Sequence, residues 1–231
     1  MSALDHFRLV TKSVETLRGS IPFAHATPLR TAITAAATAV WAMADDEDTR
    51  LKRAAVLSFH DAENARKYVN GRPVDKVAGI DEARSALHRR SDYFADMALE
   101  FGEDVRRDRW RPTADFAMVE AASKGMPEWS GGWSPRTEVP SQWRLLSCYA
   151  HGMGWATARH VEYGEPDEIG LAKSTLVFDL DDLMSSASIV RLLIERALDR
   201  YREMAGYPES TNAELTKILH ESMNRPGVSG D

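Results

Sequence analysis

Between Pro28 and Ala44 the chain runs Pro-Leu-Arg-Thr-Ala-Ile-Thr-Ala-Ala-Ala-Thr-Ala-Val-Trp-Ala-Met-Ala. Alanine is the strongest helix former, and Thr27 followed by Pro28 makes a good N-cap and first helical residue. A helix built on this stretch is apolar nearly all round, so it belongs at the centre of a fold. Its small residues let neighbouring helices approach closely. The expectation is an all-α bundle assembled around this segment.

The flanking sequence supplies partners of the same kind. Phe7, Val10, Val14 and Leu17 recur at helical spacing, which predicts a first helix over about Leu4 to Arg18, ended by Gly19. Asp45-Asp46-Glu47-Asp48 reads as a turn and capping cluster in preference to a metal site, since carboxylates favour helix N-termini. A third helix is expected from about Thr49 to Val69. A fourth runs from Ile80 to Phe101, with Ala83, Leu87, Phe94, Met97 and Phe101 inward and Gly102 as its stop. Glu103 to Val139 reads as a long loop carrying Trp110, Trp129 and Trp133, interrupted by a short helix over Ala114 to Ser123 capped by Thr113. Loops of that length are uncommon unless functional, and tryptophans argue against disorder. The loop is expected to pack over the next helix.

That helix starts near Pro140 and weakens at Gly152-Met153-Gly154, with a resumption over Trp155 to His160. Lys173 to Leu180 suits a short strand or extended segment. Asp179 or Asp181 then caps a long helix to Ala205, with Leu183, Ala187, Val190, Ile194, Ala197 and Tyr201 on one face and Gly206 and Pro208 at its end. Thr211-Asn212-Ala213-Glu214 fits a capping box for a short helix to Met223. The whole reads as one helical domain over 1–223, of five to seven helices with at most a minor β element, and a flexible tail over 224–231.

Charge and cysteine content narrow the function. The formal net charge is -6, which argues against a broad surface for duplex nucleic acid, although 29 lysines and arginines leave room for a local basic pocket. A single cysteine, Cys148, allows no intramolecular disulfide. No apolar run approaches the roughly 18 residues of a membrane span, and the N-terminus lacks a signal-peptide pattern. A cytoplasmic protein without a membrane contact is the expectation, and nothing calls for a cofactor or metal.

The candidate site is Trp143-Arg144-Leu145-Leu146-Ser147-Cys148-Tyr149-Ala150-His151-Gly152. Seven residues are about two helical turns, so Arg144 and His151 share a face with Ser147 between them. Cleavage of RNA by its own 2′-hydroxyl needs a proton acceptor and a cation for the developing phosphorane charge. A histidine ionises near neutrality and suits the first task. An arginine presents a fixed fork of donors and suits the second. Ser147 is placed to position a phosphate oxygen or the imidazole. Tyr149, Trp155 and Arg30 are candidates for substrate contact.

Arg144 and His151 at this spacing resemble the R-x4-6-H motif of the HEPN superfamily, helical-bundle proteins of toxins, phage defence and RNA processing. The resemblance implies a nucleic-acid-associated protein and a metal-independent endoribonuclease of a defence or toxin type, acting on single-stranded RNA. It also implies a homodimer, because two protomers of that superfamily pair to build one site. The motif is short, and Leu145 stands where active members often carry a polar residue. Leu29-Arg30 through Trp41-Ala42-Met43, then Arg50 and Arg53, then Leu146 to Gly152, is similar to a group of uncharacterised helical proteins of actinobacteria and their phages. That group has a Ser-x-x-x-His-Gly motif and implies the pairing of Arg30 with the late helix, but no activity. The alternative class is a non-catalytic helical module that works through a protein partner.

The same residues admit other roles. A histidine before a glycine can bond the carbonyls at its own helix end. His60-Asp61 is similar to the dyad of metal-dependent phosphohydrolases, but no further histidine or aspartate has the matching context. Asp179, Asp181 and Asp182 suit capping better than cation binding. Cys148 beside Arg144 and His151 has no third group to orient it as a nucleophile. The tryptophan segment suits packing better than base stacking.

Overall fold

Helix forms here wherever apolar side chains recur every three or four residues, and the chain is accordingly mostly helical. The computed structural model describes residues 2–17, 22–71, 79–108, 110–128, 133–158, 161–170, 172–176 and 180–206. In chain order these form α1 (Ser2–Leu17), α2 (Pro22–Ala42), α3 (Glu47–Asn70), α4 (Ile80–Glu100), α5 (Asp115–Lys124), α6 (Pro135–Ala150), α7 (Gly154–Ala158), β1 (Val161–Pro166), β2 (Ala172–Leu176) and α8 (Leu180–Ala205). Strands β1 and β2 pair antiparallel with Val161 opposite Leu176 and an irregularity between Tyr163 and Pro166. The chain divides into two compact units, 1–41 with 115–231 and 42–114.

In the larger unit α2 supplies the middle of the core. Ala26, Leu29, Ala32, Ile33, Ala36, Ala37 and Val40 are buried along it, together with Val119 of α5, Val139 and Leu146 of α6 and Ile189, Val190 and Leu193 of α8. Val10 of α1 is buried with them, and Phe7 and Val14 pack alongside. Thr31 and Thr34 donate their hydroxyls to the carbonyls of Thr27 and Arg30 one turn back, at 2.9 and 3.0 Å, which satisfies polar groups on an otherwise apolar helix.

Helix α2 starts six residues before the expected Pro28. Pro28 lies inside it and buries its ring, so Thr27 is not the N-cap. Pro28 removes one backbone bond, to the carbonyl four residues back. Continuing the helix keeps His25, Ala26 and Leu29 on the same inward face, and that burial outweighs the lost bond. The same thing happens at α6, which begins at Pro135 and carries Pro140 inside it. Proline at the first helical position costs nothing, since that N–H has no intrahelical partner. Pro135, Val139 and Pro140 are all buried. The expected loop over Glu103 to Val139 therefore holds two helical stretches, α5 as anticipated and the first turns of α6.

Trp110 belongs to the smaller unit, where it meets Phe59 edge-on at 5.8 Å and donates to Glu103. Trp133 is exposed, and Trp129 lies outside the described residues. Helix α7 is short, Gly154–Ala158, and covers most of the expected resumption over Trp155 to His160, whose last two residues lie outside the described residues. The expected helix to Met223 with its capping box, and the tail over 224–231, also lie outside the described residues.

The smaller unit is α3 packed on α4 through Ala55, Val56, Ala95 and Ala98, with Val105 closing one end. Ser91 donates to Glu63 across the pair at 2.7 Å, and Arg66 chelates the same carboxylate. These bonds, the Arg66 one first, hold the Glu63 carboxyl below its usual range. The inward stripe of α4 is Ile80, Ser91, Ala95 and Ala98; Ala83 is exposed, and Phe94 and Met97 sit at the edge. The reason is size: small side chains take the close helix–helix contact and larger ones flank it. Asp46 caps α3, accepting from the Thr49 N–H at 2.8 Å. Among the described residues no helix is long and apolar enough to cross a membrane.

Candidate functional site

Helix α6 presents Leu145, Leu146 and Tyr149 to the core and leaves Arg144 and His151 exposed, with Ser147 half-buried between them. Arg144 lies on α6 itself, and His151 is its C-cap residue. Tyr149 is 4% exposed, so its ring belongs to the core and not to the surface where a substrate contact was expected. Trp155, on α7, is exposed at 59%. Cys148 is half-buried and packs against the core.

Backbone hydrogen bonds close the end of α6. Gly152 takes a left-handed φ of 65°. The N–H groups of His151, Gly152 and Met153 bond the carbonyls of Ser147, Tyr149 and Cys148 at 3.0, 3.1 and 2.9 Å. A glycine cap of this form satisfies the last carbonyls without help from a side chain. His151 itself is exposed.

Arg30, 114 residues away from Arg144 in sequence, is brought to the same helix. Its Nε donates to Ser147 Oγ at 2.7 Å, and Ser147 Oγ donates in turn to the Trp143 carbonyl at 2.8 Å. Trp143 Nε1 donates back to Thr34 Oγ1 at 2.9 Å, and Thr34 Oγ1 donates to the Arg30 carbonyl at 3.0 Å. The four bonds form a reciprocal clasp between α2 and α6. Each long side chain donates to a hydroxyl, and that hydroxyl donates to the backbone carbonyl of the other long residue, four positions back on its own helix.

Aromatic rings support both arginines. The Arg30 guanidinium carbon lies 4.9 Å from the Trp143 ring centre, and that of Arg144 lies 4.0 Å from the ring centre of Phe116. Phe116 and Trp143 are themselves 5.6 Å apart and tilted by 49°. Guanidiniums laid on ring faces are held by cation–π attraction, which fixes their planes. Asp115 Oδ2 is 4.0 Å from Arg30 Nη2, at the outer limit of an ion pair. Arg144 makes no ion pair among the described residues. Phe116, Asp115, Trp143 and Thr34 were not singled out from the sequence. The only signal was Trp143 next to Arg144; nothing local ties residues 30, 34 and 115 to it.

A second polar group lies within the larger unit. His25 is 3% exposed, its Nε2 sits 3.0 Å from Ser13 Oγ, and burial pushes its pKa below the ordinary value. Beside it is a cavity of about 10 Å³, large enough for one water, lined also by Gln142, Tyr149, Asp182 and Ser186. Gln142 donates to Ser186, and Ser186 to the Asp182 carbonyl. In the smaller unit His60 contacts Asn64 and Asp61 pairs with Arg90, so the two do not form a metal-binding dyad. Among the described residues no three His, Cys, Asp or Glu side chains are grouped to hold a metal.

Compared with known protein families, curated proteins and solved structures, the chain matches none.

Proposed function

We propose that the face of α6 bearing Arg144, Ser147 and His151 binds single-stranded RNA and cleaves it without a metal, as the HEPN-like resemblance implies. The observation that carries this reading is that Arg144 near the end of α6 and His151 at its C-cap are both exposed, while backbone N–H groups bond the carbonyls of Ser147, Cys148 and Tyr149. Both groups are available for a ligand. His151 takes the proton of a ribose 2′-hydroxyl; that oxygen bonds the adjacent phosphorus as the bond to the 5′-oxygen breaks, and the leaving oxygen takes a proton from water. Arg144 offers its fork to the phosphate as negative charge builds. The net charge of -6 confines binding to this local face.

The test is cleavage of mixed single-stranded RNA in EDTA. Wild type is expected to cut, and His151→Ala, with an unchanged circular dichroism spectrum, is expected to lose about 100-fold or more in rate, the usual contribution of an acid–base group. Equal cleavage by both proteins removes His151 from the mechanism.

A second reading, a helical module that docks on a protein partner, is favoured by Met153 and Trp155, which stand 50% and 59% exposed just beyond His151. Absence of cleavage by wild type at high protein concentration selects this reading.

A further inference from the structure

The clasp between α2 and α6 does more than join two helices. An arginine side chain is ordinarily mobile, and ordering it is a large part of the cost of using it to bind. Arg30 has already been ordered. Its Nε is committed to Ser147, its plane lies on Trp143, and its backbone carbonyl is held through Thr34. What remains are the two terminal nitrogens, the pair that grips an oxyanion. The side chain keeps 26% exposure, so solvent reaches it. Asp115 is the carboxylate beside it, and at 4.0 Å it is too far for a charge-assisted hydrogen bond. It is also half exposed, so it can swing into water at little cost.

We propose that Arg30 is a preorganised phosphate-binding fork and that Asp115 is its resting counter-ion, displaced when a phosphodiester oxygen arrives. The inference rests on the reading that RNA uses this face, and it adds a second phosphate contact beside Arg144. Phe116 and Trp143 lie 5.6 Å apart and each ring carries one of the two guanidiniums, so the two cations are near neighbours, a spacing suited to a chain with repeating phosphates.

The experiment measures binding of a fluorescein-labelled single-stranded RNA by anisotropy across a salt series, in EDTA and on a His151→Ala background so that the probe stays intact. Asp115→Asn is expected to tighten binding by about threefold, the scale of one exposed charge pair. Arg30→Gln is expected to weaken it by about tenfold and to lower the slope of log affinity against log salt by about 0.7, the value for one phosphate contact on a single strand. Thermal melts establish that each variant folds. RNA binding that is unchanged in Asp115→Asn, with the salt slope of Arg30→Gln unaltered, overturns the role of Arg30 and leaves the RNA reading standing. If no variant binds RNA, the RNA reading fails, and tripolyphosphate replaces the probe. Greater thermal protection of Asp115→Asn than of its parent, and none of Arg30→Gln, then keeps the oxyanion fork. Equal protection of all three overturns it.

Discussion

His25 is held between α1 and α2 at 3% exposure, and the fold resists its ionisation. Burial lowers its folded pKa below the ordinary 6.5, so between the two values the unfolded chain binds the additional proton. Stability is then full above about pH 6.5 and falls as the pH drops toward the folded value. Urea unfolding at pH 7.5 and pH 5.5 is expected to show this loss in wild type and a smaller loss in His25→Gln. An identical pH dependence in the two proteins would assign the acid sensitivity elsewhere. Residue by residue, Arg144, Ser147 and His151 were legible because their spacing alone puts them within two turns. Arg30 was anticipated only through resemblance. Phe116 and Asp115 were not legible, because a cation–π contact made across two helices leaves no periodicity in either.

Helices α2 and α6 show how an element decides its own limits. Both carry a proline past the first turn, and in both an inward side of the preceding turn is buried, His25 and Ala26 in α2 and Pro135 and Val139 in α6. Local rules favoured starting each helix at its second proline, and burial of the preceding turn overruled them. The end of α6 followed its local rule, since Gly152 has the positive φ that a glycine cap requires. A Cβ at Gly152 would meet nothing within 4 Å, so only backbone strain opposes a side chain there. Gly152→Ala is therefore expected to cost about 1 kcal/mol, read from the urea midpoint. A loss several times larger would mean that the glycine is needed for packing as well. On α8, Leu193 is fully buried against the α2 core, and Leu193→Ala is expected to cost about 2–5 kcal/mol by the same measurement. A loss under 1 kcal/mol would show that the core collapses around the missing atoms. The face of α8 was legible as far as Ala197, which packs partly buried against the core, whereas Tyr201 is exposed where the pattern placed it inward.

At the scale of the whole molecule, the sequence by itself determined that the chain is helical, which segments form its long helices, and which side of most of them is apolar. Those properties reside in backbone propensity and in spacing within a few turns, and both are local. It also determined that α6 and its C-cap carry a cation, a hydroxyl and an imidazole within two turns. The tertiary structure decided the grouping into two compact units, with 42–114 set between two parts of the other. It decided that Trp110 serves the smaller unit and Trp143 the larger. It alone decided that Arg30 Nε lies 2.7 Å from Ser147 Oγ across 117 residues of chain. The physical reason is that periodicity encodes how much of a helix is buried but not against what. Partner, register and rotamer are fixed only when close packing selects one arrangement of interlocking side chains, and the clasp between α2 and α6 is a product of that selection.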